Sequence, residues 1–106
     1  MNKTIKITDD TINSILSENR FVIIDFFTEW CGPCRMLGPI IDKLAEENTD
    51  VIIGKVNADE NAVGTTQFSI RGIPAVIFFK DGIEVNRVVG VKSKAELQKI
   101  IDELKS

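Results

Sequence analysis

The chain has 106 residues, 43% of them hydrophobic, with a formal net charge of −3 and no histidine. That length and apolar content suit one domain, residues 1–106, burying roughly 65% of its unfolded surface, so folding needs no covalent staples. Scattered lysines and arginines leave no basic stripe to track a nucleic-acid backbone, and Asp25 interrupts the longest apolar run, which argues against a membrane span.

The opening MNKTIKITDD has no apolar stretch of signal-peptide length, so a cytoplasmic protein is expected. Residues 3–7 suit a short edge strand. Thr8, Asp9 and Asp10 offer caps for a helix whose Ile12, Ile15 and Leu16 share a face, and Asn19 and Arg20 close it. Residues 21–27, FVIIDFF, form a nearly continuous apolar run, the pattern of a strand covered on both faces; residues 51–56 look the same. Between them a long helix is predicted from Pro33, whose missing N–H costs nothing in a first turn, to about Asn48. Its apolar face is assigned to Met36, Leu37, Ile40, Ile41 and Leu44, and Pro39 predicts a kink.

A shorter helix is predicted over residues 61–68. Residues 75–79 and 84–89 flank an Asp81-Gly82 turn and read as a hairpin. Ser93 and Glu96 form a capping box for a last helix with Leu97, Ile100, Ile101 and Leu104 as its apolar stripe. The order βαβαβαββα, with right-handed crossovers, gives an α/β fold: a mixed sheet sandwiched by helices.

Both cysteines of the chain, Cys31 and Cys34, lie in the stretch TEWCGPCRM. A tetrahedral metal site asks for about four ligands, and two thiols without an imidazole supply half of one, so only a dimer sharing the ion would complete it. A disulfide closing so small a ring removes only about 2 kcal/mol of unfolded-chain entropy, which a chain with this much core hardly needs. Reversible thiol–disulfide exchange is the reading that remains, and position supports it. Cys31 falls where a buried strand ends and a helix begins, so unpaired amides and the positive end of the helix dipole face its sulfur and stabilise a thiolate by up to about 2 kcal/mol. Modest activation suffices, because nucleophilicity falls along with basicity. Cys34, one turn along and better covered, is expected to stay protonated. Cys31 is then the attacking thiol and Cys34 the resolving one, and their disulfide is the redox-active bond. Gly32 allows close approach of a partner's backbone, while Pro33 contributes no amide to the thiolate.

WCGPC after VIIDFF, together with Asp25, Ile73-Pro74 ahead of a hairpin, and Gly90 at matching spacing, resembles the thioredoxin family over essentially the whole chain. The resemblance implies the thioredoxin fold, with a five-stranded sheet in the order 1-3-2-4-5 and four helices around it. It also implies protein-disulfide reductase activity, recharging by a thioredoxin reductase, disulfide-bonded proteins as substrates, a monomeric state, and no metal or cofactor. Some members use the same fold as a non-catalytic binding subunit, and that alternative stays open.

Asp25, within an apolar strand, is expected to be buried with a raised pKa. The resemblance assigns it proton transfer with Cys34 through water and makes Lys55 its charge partner; from the residues alone, Lys55 reads as a snorkelling strand lysine. Pro74, an ordinary trans strand-start proline on base rates, becomes cis under the resemblance, with the backbone of Ile73 offered to bound substrate. Trp30 is either a core aromatic or an exposed ring of a docking surface shared with Gly32, Pro33, Gly72, Ile73, Pro74 and Gly90, as the family uses these positions. Phe27, Thr28, Arg35, Phe68 and Ala75 depart from the commonest residues of the family, and none of them changes the chemistry of the sulfurs.

Overall fold

The computed structural model describes residues 3–106. Its elements run β1 (Ile5–Lys6), α1 (Ile12–Glu18), β2 (Phe21–Phe27), α2 (Gly32–Glu47), β3 (Ile52–Asn57), α3 (Ala62–Gln67), β4 (Ala75–Lys80), β5 (Ile83–Val89) and α4 (Lys94–Lys105). The sheet order is β1-β3-β2-β4-β5, as expected. β3 runs parallel to β1 and to β2, while β4 is antiparallel to β2 and β5 to β4. No helix among the described residues is long and apolar enough to cross a membrane.

The apolar runs of β2 and β4 reflect burial on both faces. Ile23, Val76 and Phe78 pack on one side with Leu37, Ile41 and Leu44 of α2 and Leu97, Ile101 and Leu104 of α4. Val22, Ile24, Phe26, Ile77 and Phe79 pack on the other with Ile7, Ile12 and Leu16, joined by Phe68 and Ile70 after α3. Central strands so enclosed hold whatever polar group they carry at a fixed depth, and Asp25 of β2 is 2% exposed.

Several local expectations change in detail. The edge strand shrinks from residues 3–7 to Ile5–Lys6: the N–H of Ile7 still donates to the Lys55 carbonyl at 2.9 Å, and the chain then enters a turn in which Thr11 N–H donates to the Thr8 carbonyl at 3.0 Å. The caps expected for α1 are not made: its N-cap is Thr11, without a side-chain cap bond. The carboxylate of Asp9 instead accepts from the N–H groups of Val63 (3.1 Å) and Gly64 (2.7 Å) in the first turn of α3. Asn19 closes α1 as expected, its Nδ2 donating to the Ile15 carbonyl at 3.0 Å.

Helix α2 continues through Pro39 without interruption. Met36, expected on its apolar face, is 66% exposed; the buried stripe runs through Cys34, Leu37, Ile41, Leu44 and Ala45. The hairpin turn places Asp81 at φ +53° and Gly82 at φ +81°, the left-handed geometry that matches strand twist in a two-residue loop. The capping box of α4 is complete, with Ser93 Oγ accepting from Glu96 N–H and Glu96 Oε1 accepting from Ser93 N–H.

Candidate active site

At the end of β2 the chain leaves the sheet through residues 28–30 and enters α2 at Cys31. The corner is tied on both sides: Ala58 N–H donates to the Phe27 carbonyl at 2.8 Å, and Arg35 Nη2 donates to the Glu29 carbonyl at 3.1 Å. Cys31 is the N-cap of α2 in extended conformation (φ −97°, ψ 114°), and its Sγ accepts the N–H of Cys34 at 3.2 Å. The sulfur therefore sits where the free amides of the first turn converge, as the sequence indicates. Cys31 and Cys34 are joined by a disulfide, with Cα atoms 5.2 Å apart. They differ in exposure: Cys31 is half-buried, whereas Cys34 is 6% exposed.

A second segment meets the sulfurs from the side of the hairpin. The Ile73-Pro74 bond is cis, and the Ile73 carbonyl oxygen lies 3.8 Å from Cys31 Sγ. The Pro74 carbonyl accepts the N–H of Gly90 at 2.8 Å, and Gly90 adopts φ +92°, a conformation that favours glycine. A Cβ on Gly72 would stand 2.8 Å from Val89 Cγ1, so a larger residue here would have to displace the Val89 side chain on β5. The fold thus gathers Gly72, Ile73, Pro74 and Gly90 beside Cys31. Gly32 and Pro33 are exposed on the first turn of α2, and Trp30 is 84% exposed, which rules out the core alternative for its ring.

Behind Cys34 opens a cleft of about 300 Å³ lined by Asp25, Phe27, Thr28, Glu29, Cys34, Arg35, Gly38 and Lys55. Asp25 is its most buried lining residue, 2% exposed, and Oδ1 is without a hydrogen-bond partner among the described residues. Burial pushes its carboxyl from an ordinary value of 3.8 up to about 7, against the opposing pull of the Lys55 ammonium and with a further push from the Asp42 carboxylate. Lys55 is the neighbour of Asp25 in the β2–β3 ladder, so both side chains leave the same face of the sheet. Its ammonium, however, makes its ion pair with Asp42 of α2, at 2.9 Å. Asp42 does not stand out in the sequence, although a signal is there: Cys34, Gly38 and Asp42 recur at four-residue spacing and share a helix face. No group of three His, Cys, Asp or Glu side chains fit to hold a metal ion occurs among the described residues.

Comparison with known proteins gives this arrangement its place. The family model described as Thioredoxin matches residues 3–103. The chain belongs to the thioredoxin family. It is 44% identical over 97 residues to thioredoxin from Chlamydia caviae, covering 92% of this chain and 94% of that protein. It is 40% identical over 103 residues to thioredoxin from Mycobacterium bovis, covering 95% and 89% respectively. Among solved structures, thioredoxin F from spinach chloroplast superposes with a TM-score of 0.92 at 33% identity, covering 99% of this chain and 96% of that one. A mutant thioredoxin from Halobacterium salinarum gives 0.91 at 32% identity, covering 98% and 92%. As a thioredoxin-family protein with a bonded cysteine pair at the start of α2, the chain is a thiol–disulfide oxidoreductase that reduces disulfides in partner proteins.

Proposed function

We propose that the single domain of residues 1–106 works as a monomeric electron carrier of the cytoplasm, with Cys31 as nucleophile and Cys34 as resolving thiol. The observation that carries the assignment is the unequal placing of the two sulfurs: one at a half-buried helix N-cap, the other on a residue only 6% exposed that lines the cleft behind it. In the dithiol form the Cys31 thiolate attacks one sulfur of a partner's disulfide. The partner's S–S bond breaks and its second sulfur leaves as a thiolate. Cys34 then gives up its proton and attacks Cys31 Sγ, which releases the remaining partner sulfur and forms the Cys31–Cys34 bond. Two electrons have passed to the partner, whose two thiolates take up protons.

Asp25 is the proton acceptor for Cys34 in this scheme, acting through water in the cleft. A carboxyl held near 7 is suited to that task, since it accepts and returns a proton at neutral pH. Lys55 adjusts its acidity as a charge partner. Trp30, Gly32, Pro33, Gly72, Ile73, Pro74 and Gly90 form the docking surface, with the Ile73 backbone open to pair with an extended segment of the partner. A thioredoxin reductase returns the two electrons, and the chain itself needs neither cofactor nor metal. A reducing compartment suits this cycle, because its thiols are kept reduced.

Turnover of insulin disulfides with dithiothreitol tests the assignment. Cys31→Ser is expected to abolish turnover, and retained turnover in that variant would overturn it.

A further inference from the structure

Two charges compete for Lys55. Asp25 stands beside it in the ladder, buried, with Oδ1 unpartnered among the described residues. Asp42 faces it from α2 and makes the ion pair, at 2.9 Å. The same oxygen of Asp42, Oδ1, also accepts from Thr4 Oγ1 at 3.1 Å. The crossing passes beside Gly38, where a Cβ would stand 3.8 Å from Lys55 Nζ, an ordinary van der Waals contact.

We propose that Asp42 is a positioning residue for the resolving half of the reaction: by anchoring the Lys55 ammonium on α2, it keeps that charge from closing onto Asp25. This inference rests on the proton-transfer role given to Asp25. A lysine free of Asp42 could swing toward the buried carboxylate, which would ionise more readily and hold its proton less well at neutral pH. The other charged groups around the cleft are Glu29, on the corner after β2, and Arg35, on the first turns of α2, whose guanidinium is engaged with the Glu29 carbonyl. On β4 the residue paired with Asp25 is Val76, and the charge of that strand, Lys80, lies at its far end, paired with Phe21. Lys55 is therefore the cation placed to respond when Asp42 is altered.

The test tracks Asp25 directly, by the carbon-13 shift of its carboxyl against pH in the oxidised protein, where neither cysteine titrates. In Asp42→Asn the Asp25 midpoint is expected to fall by about one pH unit, and in Asp42→Glu, whose carboxylate still reaches Lys55, to stay near that of the parent. In a Lys55→Met background, Asp42→Asn is expected to move the midpoint by less than half as much. An unmoved midpoint in Asp42→Asn overturns the proposal, and so does an equal shift with and without Lys55, which would mean that Asp42 acts by its own charge alone. The rate of mixed-disulfide resolution against pH separates the underlying reading. Should the Asp25 midpoint move as stated while the rate profile stays in place, Asp42 positions Lys55 but Asp25 is not the proton acceptor.

Discussion

The backbone N–H of Cys34 points at Sγ of Cys31, 3.2 Å away, so the cysteine proposed as the resolving thiol helps to hold the sulfur it would attack. The same turn of helix covers Cys34 itself, which is 6% exposed. Reduced protein is therefore expected to react with iodoacetamide at Cys31 well before Cys34 at neutral pH, read by peptide mass spectrometry over a time course. Cys34→Ser should accumulate mixed disulfides with protein substrates, visible as shifted bands on a non-reducing gel. Equal labelling rates for the two thiols would contradict the division of roles.

Asp25, the proposed proton acceptor, also bears on stability. Its folded value of about 7 stands above the ordinary 3.8, so the native state binds this proton more tightly than the unfolded chain does. The carboxyl does not weaken the fold below about 3.8, weakens it progressively as pH rises between the two values, and reaches its full cost above about 7. That cost comes to about 4 kcal/mol for a shift of this size. Asp25→Asn is thus expected to be more stable than the parent at pH 8 by up to about 4 kcal/mol, with most of the advantage gone at pH 4. Urea denaturation of both proteins at the two pH values measures this. The variant is also expected to resolve mixed disulfides more slowly.

Trp30 exposes 84% of its surface beside the sulfurs, so it contributes little to the core. Trp30→Ala is expected to change folding stability by no more than about 0.5 kcal/mol. With Trp30 as the proposed aromatic docking anchor, its loss is expected to raise KM for protein disulfides at least about fivefold, in line with a truncated contact worth above about 1 kcal/mol. Small disulfides, which do not need the docking surface, should be reduced at nearly the parental rate. Steady-state kinetics on the two substrate types provide the comparison.

The Asp9 carboxylate takes the place of a local cap for α3, accepting two of its first-turn amides from the far side of the sequence, while Asn61 Oδ1 accepts Asp9 N–H at 2.9 Å in return. Asp9→Ala leaves those amides without their acceptor and is expected to cost about 1–2 kcal/mol in chemical denaturation. Asp10→Ala, one residue along and exposed, should be near neutral.

Much of the site is legible in the sequence because its determinants are local. Cys31 caps α2 on account of the residues just after it, a glycine and a proline and then a helical apolar stripe, and Ser93 with Glu96 closes its box within one turn. Met36 is placed on the wrong face because periodicity gives a stripe but not its rotation when both flanks are apolar. Asp9 reads as a cap for the helix it precedes, since the helix it serves lies more than fifty residues away in the chain.

By itself, the amino-acid sequence determined the element order, the apolar strands enclosed by helices, and the helix-start placement of two cysteines, since each depends on periodicity, capping and turn chemistry within a few residues. The tertiary structure alone decided that Asp25 carries a buried oxygen unpartnered among the described residues, that Lys55 turns to Asp42, and that Ile73 comes to lie against Cys31. Charge and burial act through space, and these groups, on β2, β3, α2 and the loop before β4, become neighbours only when the sheet assembles in the order β1-β3-β2-β4-β5.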